Sequence, residues 1–270
     1  MADRCDDPLF GEIPERVLLS DAPLVRVLGQ VRFPKIVKIG EESYIAEFQE
    51  AIRREYPHFQ SDVVQGVELN LAGEALQHRV MNTVIWRFLD PEKVLRVSLS
   101  QDAITLETAR YVSRDDFLRR LEFILKSLQE TIGPSLVQRV GFRYVDRLQS
   151  DFLESLDSLV QPELLNVLQP NLASQIEISM TEITGTTKEG KLIARYGLAP
   201  ANFSHDPDIA PPVKERSWVL DVDSYSTKCA GQEFEAKMLC GELDKVAARA
   251  YAFFRWSVTD TFLEKFGASQ

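Results

Sequence analysis

Two short stretches hold most of the chemistry this sequence offers. In "RVGFRYVDR" (139–147), valines and aromatics mark a strand, and alternation places Arg139, Arg143 and Arg147 on one face. In "WVLDVDSY" (218–225), the same alternation places Asp221 and Asp223 together. Three guanidiniums on one face need anions, and two carboxylates on one face need cations. Two arrangements answer both needs. If the strands are neighbours, the charges pair across them, each pair contributing roughly 0.2–1 kcal/mol, and Arg–carboxylate forks add orientation. Otherwise the arginines line a shallow basic groove for a phosphate or an acidic peptide. The aspartates would then hold a divalent cation, or act as acid and base.

Other chemistries lack their residues. His58, His78 and His205 lie far apart, with no pair at helical spacing, so no metal site is expected. No G-x-S-x-G elbow, phosphate loop or dinucleotide fingerprint occurs, and no cofactor is expected. "TGTTKEGK" (184–191) reads as a hairpin loop. Cys5, Cys229 and Cys240 make neither a metal finger nor a disulfide framework, which suits reduced thiols. Arg87 and Arg96 read as a solvated strand face beside Trp86 and Phe88.

The chain has 270 residues and a formal net charge of −10. An acidic balance disfavours nucleic acid, whose binding comes mainly from neutralised phosphates, and equally disfavours anionic membranes. The opening "MADRCDDPLFGEIPER" has no apolar signal core, and no run approaches the ~18 apolar residues of a membrane span. A cytoplasmic protein is the expectation.

The elements that must position these residues follow from periodicity. Residues 1–22, rich in acids and prolines, read as an N-terminal arm. "PLVRVLGQVRFPKI" (23–36) is the first strand. Ile45, Phe48, Ile52 and Tyr56 mark a helix ended by Pro57. A strand at 63–71 and a meander over 83–111 follow, with turns at "DPEK" and "SQD". A long helix covers 114–132, capped by Ser113 with Asp116 and stopped by Gly133–Pro134. Beyond the arginine strand come short helices, then a hairpin of 175–185 with 191–199. A mobile or binding loop (202–217), the aspartate strand, a long helix through Leu239, Leu243, Val246, Ala250 and Phe253, and a short final helix complete the chain. "YAFFRWSV" (251–258) is apolar around most of its circumference, and Phe253, Phe254 and Trp256 are candidates for a partner surface.

Both halves run strand, helix, strands, long helix. "PLVRVLGQVRF" overlays "SLVQRVGFRYV" without a gap, matching Leu24 to Leu136, Val25 to Val137 and Gly29 to Gly141. The expected fold is α+β, a duplicated strand–helix–strands–helix unit with antiparallel sheets and long helices packed on one face. The halves would be 23–133 and 134–270, or one continuous domain.

The series "PLVRVLGQVRFPKI", "FQEAIRREYP", "VIWRF", "RVGFRYVDR", "LDVD" and "FFRWSVTDTFLEKFG" resembles a sporadically distributed bacterial family of about this length with no assigned function. The resemblance brings no catalytic residues. Patchy occurrence implies horizontally transferred genes, including defence and toxin–antitoxin cassettes. The sequence thus points first to a non-enzymatic binding or regulatory protein that recognises another protein or itself. A metal-dependent enzyme acting on a nucleotide or nucleic acid, and a small-ligand sensor with a pocket between sheet and helices, are the alternatives.

Overall fold

The first strand, β1 (Leu24–Arg32), pairs antiparallel with the arginine strand rather than with a sheet of its own half. The computed structural model describes residues 6–72, 75–165, 167, 168, 172 and 174–268, and the backbone alone for 64–82. After β1 come α1 (Ala46–Ile52), β2 (His58–Ala72), β3 (Ala75–Leu89), β4 (Leu95–Leu99), β5 (Ala103–Thr108) and α2 (Arg114–Thr131). The second half holds β6 (Arg139–Gln149), α3 (Leu156–Leu159), α4 (Pro162–Leu165), β7 (Ser179–Thr186), β8 (Lys191–Ala199) and β9 (Ser217–Ser226). It ends with α5 (Ala236–Ser257) and α6 (Asp260–Lys265).

All nine strands form one antiparallel sheet in the order β2-β3-β4-β5-β1-β6-β9-β8-β7. This corrects the expected duplicated α+β unit with its long helices packed on separate sheets. The sheet dominates, and most helices are short. The physical reason lies at the centre. The opening strands of the two expected halves hydrogen-bond to each other from Val27–Tyr144 through Arg32–Arg139, which removes two edges that separate sheets would expose. The strand expected at 63–71 and the meander expected from 83 grow into a hairpin of two 15-residue strands.

Local chemistry sets the boundaries. Asp90 Oδ1 accepts from the backbone N–H of Val94 (2.7 Å) and Leu95 (2.9 Å), closing the "DPEK" turn. Ser113 Oγ accepts from Asp116 N–H at 3.1 Å and starts α2. Gly133, at φ 63°, returns its N–H to Leu128 and ends it. One sheet face packs on the apolar stripes of α2 and α5. At Gly29 the approach is close: a Cβ there would stand 2.8 Å from Leu121 Cδ2 and 3.0 Å from Phe117 Cε1.

The expected arm is held down. Arg249 of α5, 1% exposed, donates to Glu189 Oε2 (2.6 Å) and Oε1 (3.0 Å), and to the carbonyls of Pro8 (3.2 Å) and Gly11 (3.0 Å). Tyr251 Oη accepts from Val17 N–H at 2.8 Å and donates to the Glu15 carbonyl at 3.2 Å. Replacing Arg249 by methionine strands the Glu189 carboxylate and unties the arm. The expected result is a loss of about 2–3 kcal/mol and faster tryptic cleavage after Arg16, read by limited proteolysis.

Candidate functional site

β6 divides its side chains strictly by parity. Arg139, Arg143, Val145 and Arg147 stand on the open face of the sheet, and Val140, Phe142, Tyr144, Asp146 and Leu148 on the helix-covered face. The two faces hold different chemistry.

On the open face, β9 lies beside β6 with Asp223 opposite Arg143 and Asp221 opposite Val145. Arg143 forks onto Asp221, Nε to Oδ1 and Nη2 to Oδ2, both at 2.7 Å. Its Nη1 donates to Asp206 Oδ2 at 2.8 Å. Arg139 Nη2 reaches Asp223 Oδ2 at 3.0 Å, and its guanidinium stacks over the Tyr225 ring at 4.0 Å. Arg147 meets no carboxylate among the described residues. Its Nη2 donates to the Ala210 carbonyl at 3.2 Å, and burial depresses its pKa.

The loop expected at 202–217 supplies partners that strand alternation does not show. Ala210 packs on Val145 and Val219, and this seats His205 with Nε2 2.8 Å from Asp221 Oδ2. Asp221 is fully buried. Burial alone raises its pKa, yet the His205 and Arg143 hydrogen bonds more than offset that and hold it below the usual range. Asp223 goes the other way, raised by burial beyond what Arg139 returns. Elsewhere on this face Arg87 pairs with Asp62, Arg96 with Glu107 (2.5 Å) and Arg195 with Glu182 (2.5 Å). Both Asp221 oxygens are engaged by His205 and Arg143, and no cluster of three or more potential metal ligands occurs among the described residues. Cys5 and the side chain of His78 lie outside the described residues.

The expected partner surface is mostly interior. Phe253 is 2% exposed and belongs to the core, against Trp256 at 5.4 Å between ring centroids. Trp256 and Phe254 are half-buried, the latter edge-on to Phe262.

On the helix-covered face the arm, the β5–α2 loop, β6 and α5 enclose a cavity of about 300 Å³. Leu18 and Leu19 come from the arm, Tyr111 and Val112 from the loop, Tyr144 and Asp146 from β6, Tyr251 and Phe254 from α5. Asp146 is 5% exposed, and its carboxylate has no hydrogen-bond or ion-pair partner among the described residues. Burial, with the Asp221 carboxylate behind the sheet as a smaller cause, pushes it up to about 7. Tyr111 and Tyr144 hydroxyls share a hydrogen bond at 3.3 Å, and burial pushes Tyr111 up to about 12. Leu18 and Val112 leave the lining strongly exposed. A buried carboxyl raised toward neutrality in a cavity walled by aromatic rings can bind a cation, or give and take a proton.

Sequence reasoning passed over Asp146, although a signal was present. It is an acid at the parity of Val140, Phe142, Tyr144 and Leu148, the apolar set of its own strand. The cavity has a second wall in the arm, for which no periodicity speaks. No family model matches this chain, and no curated protein matches it in sequence.

Proposed function

We propose that this protein binds a small ligand without transforming it, as a sensor or carrier, and that the cavity above Asp146 is the binding site. One observation carries the reading: a carboxyl 5% exposed, without a partner, lining a cavity of about 300 Å³. A buried charge unsatisfied by its own chain costs stability, and such sites concentrate where ligands bind. The volume lies at the small end of ligand pockets, whose walls are mostly apolar with few polar groups. The exposed Leu18 and Val112 give the mouth an apolar rim that a ligand would cover.

The open face argues less for a ligand. Its arginines, apart from Arg147, already meet carboxylates of the chain. A groove for phosphate would have to displace them.

The test is thermal unfolding across a metabolite panel. A ligand at a hundred times its Kd stabilises by about 2.7 kcal/mol, a rise of several degrees in Tm. The same ligand should lose its effect when Ala109→Trp fills the cavity. A flat panel, with a stoichiometric protein recovered by pull-down from the native host, would replace this reading with partner recognition.

A further inference from the structure

The chemical class of the ligand can be taken further, on the premise that the cavity is a ligand site. We infer that it takes a small organic cation, an ammonium or guanidinium on a compact apolar body, held by the Asp146 carboxylate among the rings of Tyr111, Tyr144, Tyr251 and Phe254.

The charge inventory supports this. Two acids line the cavity, Asp146 and Asp21, against one base, Arg110. Arg110 is turned away, its Nη1 on Glu92 Oε2 at 2.5 Å, and it also stands in solvent. Of the arginines nearby, Arg16 pairs with Asp115 at 2.9 Å and Arg114 with Asp244 at 3.1 Å, while Arg255 of α5, buried with its Nε and Nη1 unpartnered, stands outside the lining and is not among the charges that act on Asp146. The cavity therefore has a buried negative group to satisfy and no free positive group in its lining. An anion would meet Asp146 with nothing to compensate it.

The rings add the second half. Aromatic faces attract cations most where water is excluded, and three tyrosines and a phenylalanine line this space. The same chain already uses the interaction, with Arg139 over Tyr225 and Lys265 over Phe152. The tyrosine hydroxyls are largely committed elsewhere, Tyr111 to Tyr144 and Tyr251 to the arm backbone. What remains to the ligand is apolar surface, ring face, the carboxylates of Asp146 and Asp21, and Ser20. A nucleotide would bring its phosphates against two carboxylates, with no unpaired base in the lining to offset them.

The experiment is isothermal titration of the intact chain with matched probes. Choline is compared with its neutral isostere dimethylbutanol, and phenethylamine with phenylethanol and phenylacetate. The cations should bind at least tenfold tighter than their neutral partners at pH 8, and phenylacetate least well. The preference should fall about tenfold per pH unit as Asp146 is protonated below neutrality. The groups that share the cavity with that carboxylate are Asp21 from the arm, Arg110 and Tyr111 from the loop, Tyr144 on β6 and Tyr251 on α5, and Asp221 acts on it from behind the sheet. Asp146→Asn should erase the preference while dimethylbutanol still binds. Neutral or anionic probes binding as tightly as cations, unaffected by Asp146→Asn, would overturn the cation inference and leave the ligand reading standing. No binding by any class of probe would overturn both.

Discussion

Asp221→Asn is expected to unfold the protein about 3–5 kcal/mol more easily than the wild type, the cost of breaking a buried ion pair from one side. Arg143 would keep its charge but lose the fork that holds Nε and Nη2, leaving only Asp206 on Nη1. Arg143→Met should cost a similar amount, because Asp221 is fully buried and would keep only His205 and the more distant Arg195 at 3.8 Å. The double variant Asp221→Leu with Arg143→Met should recover much of the loss, since an apolar pair leaves no stranded charge. The measurement is the denaturant midpoint of all four proteins. Losses below about 1 kcal/mol in both single variants would mean that solvent reaches the pair. The pH dependence follows from the direction of the shift. The folded pKa of Asp221 lies below its ordinary value, so its contribution is present above pH ~4 and is lost as pH falls through the folded value. Acid should therefore cost the wild type stability that the double variant does not lose.

The strand that poses the question of the three arginines was readable in sequence, and so were the aspartate strand and the capped helix after Ser113. Each rests on local rules: parity in a strand, side-chain oxygens at a helix start. Their pairing was not readable as a fact, because register between β6 and β9 depends on what lies between them in the chain, 67 residues from Gln149 to Ser217 by numbering. The single sheet was invisible for the same reason. The resemblance between the openings of the two halves suggested repetition, whereas the two segments are neighbours in one sheet, Leu28 opposite Arg143 and Gln30 opposite Gly141. Loop residues carried no pattern, so His205, Asp206 and the Ala210 carbonyl entered the arginine face unannounced. Of the residues offered as a partner surface, Phe253 lies in the core and Phe254 and Trp256 are half-buried, because a helix apolar on most sides is also what packing against a sheet and neighbouring helices produces. The arginines drew attention to one face of β6, while its unpaired carboxyl, Asp146, points to the other.

That group gives the largest effect of opposite sign. Asp146→Asn is expected to raise stability at pH 8 by on the order of 4 kcal/mol, a rise in Tm of roughly 8 °C or more for a chain of this size. The folded pKa is about 7 and the unfolded one about 3.9, so between those values the folded state holds a proton that the unfolded state has released. Stability from this group is therefore greatest below pH ~4, declines as pH rises, and is wholly lost above about 7. Asparagine does not titrate and nearly matches the neutral acid in size. The two proteins should then be equally stable at and below about pH 4, diverge steadily between about pH 4 and 7, and differ by a constant amount above that. Comparing them at each pH removes the contributions of other carboxylates, such as Asp221, whose shifts run the other way. A difference that stays constant from pH 5 to pH 8 would mean that the carboxyl is hydrated through the cavity and titrates in its ordinary range. A divergence would show a position at which the chain tolerates a charge against its own stability. A ligand cation that neutralises it should reverse the order, making the wild type the more stable protein at pH 8 in its presence.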